Sequence, residues 1–284
     1  MAEERARPVP GQYPVRFGVA EVLRDADREN GWLLSVDGIS QSYVDMNDPE
    51  HLEFDYLRRI ADVLDLVPDG PLDVVHIGGG AGTLARYVAA TRPGSRQLVV
   101  DADDGLVDLV ERLFGLTAEG IRVIVGDGRA VIEELPADSA DFVVLDAFQG
   151  ASVPGRLATA EFLTAVAAVL RPGGTAVLNI SDGTGLAFAK RVAATVSAVF
   201  PHALLLAEPM VLRGRRFSNL VLAGSTAELP IGPLRAVCAA AVFPARCVAG
   251  DDLEDLCGDA EPLSDADPVT GPEPPPDPFA PREE

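Results

Sequence analysis

Five times between residues 72 and 200 a short, unbroken apolar run gives way to a helical pattern, and this alternation confines the chain to few folds. The runs occupy 72–77, 96–101, 121–125, 141–146 and 175–180. Helical patterns follow at 83–91, 105–114, near 129–135, around 159–170 and at 186–200. Strands buried on both faces read as continuous apolar runs, and helical crossovers between them imply a parallel sheet. Two last runs, 203–207 and 217–223, bracket the turn Arg213-Gly-Arg-Arg216 and suit an antiparallel edge hairpin. Ahead of the rhythm, 32–36 and 41–44 flank Asp37-Gly38, a hairpin signal. Leu52, Tyr56, Ile60, Val63 and Leu64 then recur at helical spacing across 51–67. The expected fold class is α/β, an open, mostly parallel, doubly wound sheet behind a small N-terminal β-hairpin piece.

Composition sets the boundaries. Twelve acids against one base give residues 251–284 a net −11, about half of the total of −21. From Pro262 onward the chain is proline-rich, acidic and nearly free of apolar residues, so it is expected to form a disordered tail. The expected organisation is therefore a hairpin piece with a linking helix at 1–67, a nucleoside-binding domain at 68–250 and the tail at 251–284. An acidic surface without a basic stripe argues against nucleic acid as a partner. No apolar run approaches the length needed to span a bilayer, and the N-terminal residues have no signal-like apolar core, so no membrane role is expected. Three cysteines without CxxC spacing argue against a disulfide framework or a zinc site and suit the cytoplasm.

In doubly wound sheets the ligand lies at the carboxyl ends of the strands, where strand order reverses. The first strand ends in Gly78-Gly-Gly-Ala-Gly82, a loop that lets backbone N–H groups approach a ligand. Its spacing is G-x-G-x-G, whereas a dinucleotide site would have G-x-G-x-x-G. Asp101 ends the second strand, where a carboxylate can accept both ribose hydroxyls. Gly126-Asp127-Gly128 ends the third; its acid either accepts an adenine amino hydrogen or caps the next helix. Asp146 ends the fourth, facing the reacting end of a ligand. Together these four describe a nucleoside pocket without a phosphate cradle.

In this order the residues resemble the spermidine synthase (polyamine aminopropyltransferase) family. Val36-Asp-Gly-Ile-Ser-Gln41 is similar to its DGxxQ, Ile77-Gly-Gly-Gly-Ala-Gly82 to its IGGGDGG loop, and Val100-Asp-Ala-Asp103 to its VEID. Gly126-Asp-Gly128 matches its GDG, Asp146 the first acid of its DxxDP, and Leu157-Ala-Thr-Ala-Glu-Phe162 its LYTxEFY; Glu53 falls near its YHE glutamate. The resemblance implies the Rossmann-like fold of class I S-adenosylmethionine-dependent methyltransferases, a homodimer, and a sulfonium nucleoside as co-substrate. It places Gln41, Gly78, Gly80, Gly82, Asp101, Asp127 and Gly128 on the nucleoside, Asp146 at the chemistry, and Gln149 and Glu53 toward a small-molecule amine acceptor, with no metal. Departures fall on the amine side. The family's loop aspartate is Ala81, its second DxxDP acid is Gln149, and its tyrosines fall at His51, Ala158 and Leu163.

Three readings follow. Aminopropyl transfer from decarboxylated S-adenosylmethionine is the first, with Asp146 orienting the amine and accepting its proton. Methyl transfer from S-adenosylmethionine is the second, motivated by Ala81. A non-catalytic nucleoside-binding or scaffold protein is the third. Among the remaining residues, His76 reads as a satisfied strand histidine, Trp32 and Phe17 as core of the N-terminal piece, and Arg213, Arg215 and Arg216 as a solvated turn.

Overall fold

The computed structural model describes residues 8–117 and 120–275. The N-terminal segment forms a four-stranded antiparallel sheet of β1 (Gly11–Val15), β2 (Gly18–Arg24), β3 (Gly31–Val36) and β4 (Ile39–Asp45), each paired with the next. Asp37 (φ 48°) and Gly38 (φ 78°) form the expected β3–β4 turn, both in the left-handed conformation such a hairpin needs. The piece is larger than the expected hairpin because β1 and β2 carry weak signals. Pro14 interrupts β1, which tolerates it as an edge strand.

Helix α1 (Asp55–Asp65) leads to the main sheet. There β5 (Asp73–Ile77), α2 (Thr83–Thr91), β6 (Arg96–Asp101), α3 (Asp104–Phe114), β7 (Ile121–Val125), α4 (Gly128–Glu134) and β8 (Ala140–Leu145) follow in turn. The chain continues through α5 (Ala160–Val169), β9 (Leu170–Asp182), α6 (Ala187–Val199), β10 (His202–Ala207), α7 (Pro209–Leu212) and β11 (Ser218–Ser225). It closes with α8 (Ile231–Ala240), β12 (Arg246–Ala249) and α9 (Asp251–Cys257). The strand order is β12-β10-β11-β9-β8-β5-β6-β7. Pairings from β9 to β7 are parallel, and those of β11 with β9 and β10 antiparallel. The expected hairpin therefore forms, but β12 takes the edge beyond it. Because β6 and β8 flank β5 on opposite sides, the order reverses at the carboxyl ends of β5 and β8.

Apolar clusters cover both faces of this sheet. Leu57, Ile60 and Leu64 of α1 pack on Val74, Val144 and Val177, whereas Phe162, Val166 and Val192 pack on Val75, Val143 and Leu178. A third cluster joins Val22, Trp32 and Leu34 of the N-terminal sheet to Leu109, Val110 and Leu113 of α3.

Residues 251–275 depart from the expected structureless tail. They carry α9, bury Leu263 completely, and turn back through Ser264 and Asp267. Leu263 N donates to Thr195 Oγ1 at 2.8 Å, its carbonyl accepts from Ala160 N at 2.8 Å, and Asp267 pairs with Arg191 at 2.9 Å. A segment poor in its own apolar residues is ordered here by polar partners on α5 and α6. Residues 276–284 lie outside the described residues.

Candidate active site

A cleft of about 640 Å³ opens at the carboxyl ends of β5, β6, β8 and β9, with part of the N-terminal sheet as one wall. Its floor is the glycine loop. Gly78 has φ 93°, and a Cβ there would stand 2.1 Å from the Asp146 carbonyl oxygen, so only glycine lets β5 and β8 end this close together. Ser42 of β4 holds the loop from above. Its Oγ accepts from Ala81 N at 3.1 Å and lies 3.1 Å from Thr83 Oγ1, which donates to the Tyr43 carbonyl at 2.7 Å. The Ala81 methyl is buried in the cluster beneath the N-terminal sheet and does not line the cleft.

Asp101 lines the cleft at the end of β6. Its Oδ2 accepts from Gly79 N at 2.9 Å and its Oδ1 from Asp103 N at 2.9 Å. Burial raises this carboxyl above its ordinary value, against the opposing pull of these N–H donors. Asp103 also lines the cleft, but its oxygens are committed to backbone donors. Buried, it caps α3 through Leu106 N at 2.8 Å and accepts from Arg16 N at 2.9 Å and Phe17 N at 3.0 Å. The β1–β2 turn is thereby pinned at the cleft edge. Phe17, expected in the core, is instead 53% exposed and lines the cleft.

At the next strand end, Gly126 and Gly128 line the cleft and Asp127 does not. The Asp127 carboxylate caps α4 through Arg129 N (3.0 Å) and Ala130 N (3.1 Å), and its Oδ2 pairs with Arg156 at 2.6 Å. Arg156 holds the Asp127 carboxyl below its ordinary value. The Asp127 side chain therefore caps α4, and the side chain lining the cleft beside it is that of Arg156.

The opposite end is built around Asp146, on the cleft floor after β8. Its Oδ1 accepts from Asn179 Nδ2 at 2.8 Å, and Asn179 Oδ1 accepts from Asn219 Nδ2 at 3.0 Å. The Tyr56 hydroxyl donates to the same carboxylate. Burial raises the Asp146 carboxyl, while Asn179 and Tyr56 draw it back. Burial and Asp146 together push the Tyr56 phenol well above its ordinary value, so it stays a donor. Gln41 and Gln149 also line the cleft, Gln149 being exposed and bridged through its backbone to Ser152. Glu53 lies outside it, with its carboxylate 3.0 Å from His51 Nε2. His76 is buried and neutral, its pKa lowered to about 4 by burial, with Nε2 2.9 Å from Gln97 Oε1.

The structure thus gathers Gln41, Gly78, Gly80, Gly82, Asp101, Gly128, Asp146 and Gln149 around one cleft, and leaves Glu53 and the Asp127 side chain off its walls. Sequence reasoning missed Tyr56, Asn179, Asn219 and Arg156. The family's tyrosines fall at His51, Ala158 and Leu163, and the hydroxyl beside Asp146 comes instead from Tyr56 on α1. Its recurrence with Leu52 and Ile60 had the look of a core stripe, and Asn179 sits inside a strand, where the strand-end rule does not point.

The family model of the spermine/spermidine synthase domain matches residues 53–205. A polyamine aminopropyltransferase of Chromobacterium violaceum is 28% identical over 145 residues, 50% of this chain and 55% of that one. The chain spans about half the length of the curated relatives it matches, or less. The crystal structure of a probable spermidine synthase from Corynebacterium glutamicum superposes with a TM-score of 0.85 at 31% identity, covering 91% of this chain and 97% of that one. A spermidine synthase in complex with the transition state analogue AdoDATO shares the fold at 16% identity, with a TM-score of 0.56 over 81% of this chain and 77% of that one. With its family model matched across more than half its length and a 31%-identical structure covered almost end to end, the chain belongs to the spermine/spermidine synthase domain family.

Proposed function

We propose that this protein transfers an aminopropyl group from decarboxylated S-adenosylmethionine to a small amine. The observation that carries the proposal is the Asp146 carboxylate on the cleft floor, gripped by Tyr56 and Asn179 and raised in pKa by burial. An amine attacks only when neutral, and a carboxylate with a raised pKa is the better proton acceptor. In the step, the amine nitrogen forms a bond to the aminopropyl carbon while the carbon–sulfur bond breaks. Its electron pair goes to the sulfonium sulfur, leaving a neutral thioether, 5′-methylthioadenosine, and the amine proton passes to Asp146. The sulfonium is already a good leaving group, so position and desolvation are what the protein must supply. Asp101 would hold the ribose hydroxyls, and the glycine loop would lie beneath the sulfur-bearing arm.

The methyl-transfer reading drew on Ala81, and its ground weakens because that methyl is buried away from the cleft. A calorimetric titration with the two co-substrates tests the choice. Tighter binding of the decarboxylated form supports aminopropyl transfer. Preference for intact S-adenosylmethionine overturns it in favour of methyl transfer.

A further inference from the structure

The polar segment after α9 reaches the cleft. Gly271 N donates to the Val153 carbonyl at 2.9 Å, and Pro274 lines the cleft itself. The Val269 carbonyl packs so closely on Gly155 that a Cβ there would stand 2.5 Å from it. Between these contacts and α9 lies Asp265. Its carboxylate takes two parallel hydrogen bonds from Arg129, Nη1 to Oδ1 at 2.7 Å and Nη2 to Oδ2 at 2.6 Å, and a third from Thr159 Oγ1 at 2.7 Å. Arg129 and Thr159 hold this carboxyl down at about 2, so it is charged at every working pH. The same Arg129 Nη1 reaches the Arg156 carbonyl at 3.2 Å, and Arg129 follows Gly128 at the start of α4. Arg156 in turn bonds Asp127 and is the single lysine or arginine lining the cleft among the described residues.

We propose that Asp265 is a positioning residue of the nucleoside site, acting through Arg129 to fix the 153–157 turn and the Arg156–Asp127 pair at one end of the cleft. The role rests on the nucleoside reading of the cleft and adds to it a segment remote in sequence. A planar guanidinium held at both nitrogens by one carboxylate has a single orientation. Without that carboxylate, Arg129 keeps Glu133 as a partner at 2.7 Å and is free to swing toward it, releasing the Arg156 carbonyl.

Calorimetric titration of the full chain with 5′-methylthioadenosine tests the proposal. Asp265→Ala is expected to weaken binding about tenfold, and Asp265→Glu to restore most of it. Asp267→Ala is the control, because it removes another ion pair of the same segment, to Arg191 on α6, and touches neither Arg129 nor the 153–157 turn. It is expected to leave affinity within about twofold of the wild type even where both variants lower the melting temperature. Unchanged affinity in Asp265→Ala, or an equal loss in Asp267→Ala, overturns the positioning role. If Asp265→Ala does not fold, Asp265→Asn decides by the same criterion, since it keeps an acceptor for Thr159 and removes the charge facing Arg129. Failure of the wild type itself to bind contradicts the nucleoside reading, and this role with it.

Discussion

Asn179 Nδ2 donates to Asp146 Oδ1 at 2.8 Å, and the Asn179 amide is itself oriented by Asn219. The three side chains come from the ends of β8, β9 and the neighbouring antiparallel β11, so the sheet's register sets the direction of the Asp146 carboxylate. Removing the Asn179 amide leaves burial and Tyr56 as the remaining influences on that carboxyl. Its pKa then rises further, because the lost hydrogen bond favoured the ionised form. In Asn179→Ala the acidic limb of the kcat/KM profile should move to higher pH, and turnover near pH 7 should fall about tenfold. An unmoved acidic limb would separate Asn179 from the base.

Asp146→Asn should show opposite effects on stability and activity. Burial raises the Asp146 carboxyl above its value in the unfolded chain, so the folded protein holds that proton more tightly. The ionised group therefore costs stability at neutral pH. That cost fades as pH falls through the raised value and is gone below the ordinary carboxylate range. Thermal melts should find Asp146→Asn a few degrees more stable than the wild type near pH 7.5 and level with it near pH 3. Turnover should drop about a hundredfold or more.

What the sequence disclosed follows a physical line. Five βα units announced themselves because strands buried on both faces must be apolar throughout, and Gly78, Asp101 and Asp146 stood out at strand ends where a doubly wound sheet binds ligands. Tyr56 was hidden because an amphipathic tyrosine on the stripe of Leu52 and Ile60 looks the same whether its hydroxyl meets solvent or a carboxylate. Asp127 was ambiguous because a helix cap and a base-binding acid share one residue type at one position. Asp265 and Leu263 were misplaced in a structureless tail because their partners, Arg129, Thr159 and Thr195, lie 68 to 136 residues away. Composition sees only the segment's own residues.

Asp103 ties the β1–β2 turn of the N-terminal sheet to α3. Its carboxylate satisfies the backbone N–H groups of Arg16, Phe17 and Leu106, all from a buried position. Asp103→Ala removes a helix cap and strands donors of the turn, a loss of about 2 kcal/mol by urea denaturation. The exposed Asp108→Ala on the same helix should stay within about 0.5 kcal/mol of the wild type. Limited proteolysis should then cut first around residues 16–18 in the Asp103 variant. Equal stability of the two variants would remove the proposed tie.

Aminopropyl transfer itself is tested most directly by product analysis. The protein is incubated with decarboxylated S-adenosylmethionine and a panel of linear diamines, and the mixture is read by mass spectrometry. The predicted result is 5′-methylthioadenosine together with one diamine enlarged by a single aminopropyl unit, both abolished in Asp146→Asn. A methylated acceptor formed from intact S-adenosylmethionine, with no aminopropyl product from the decarboxylated form, would contradict it.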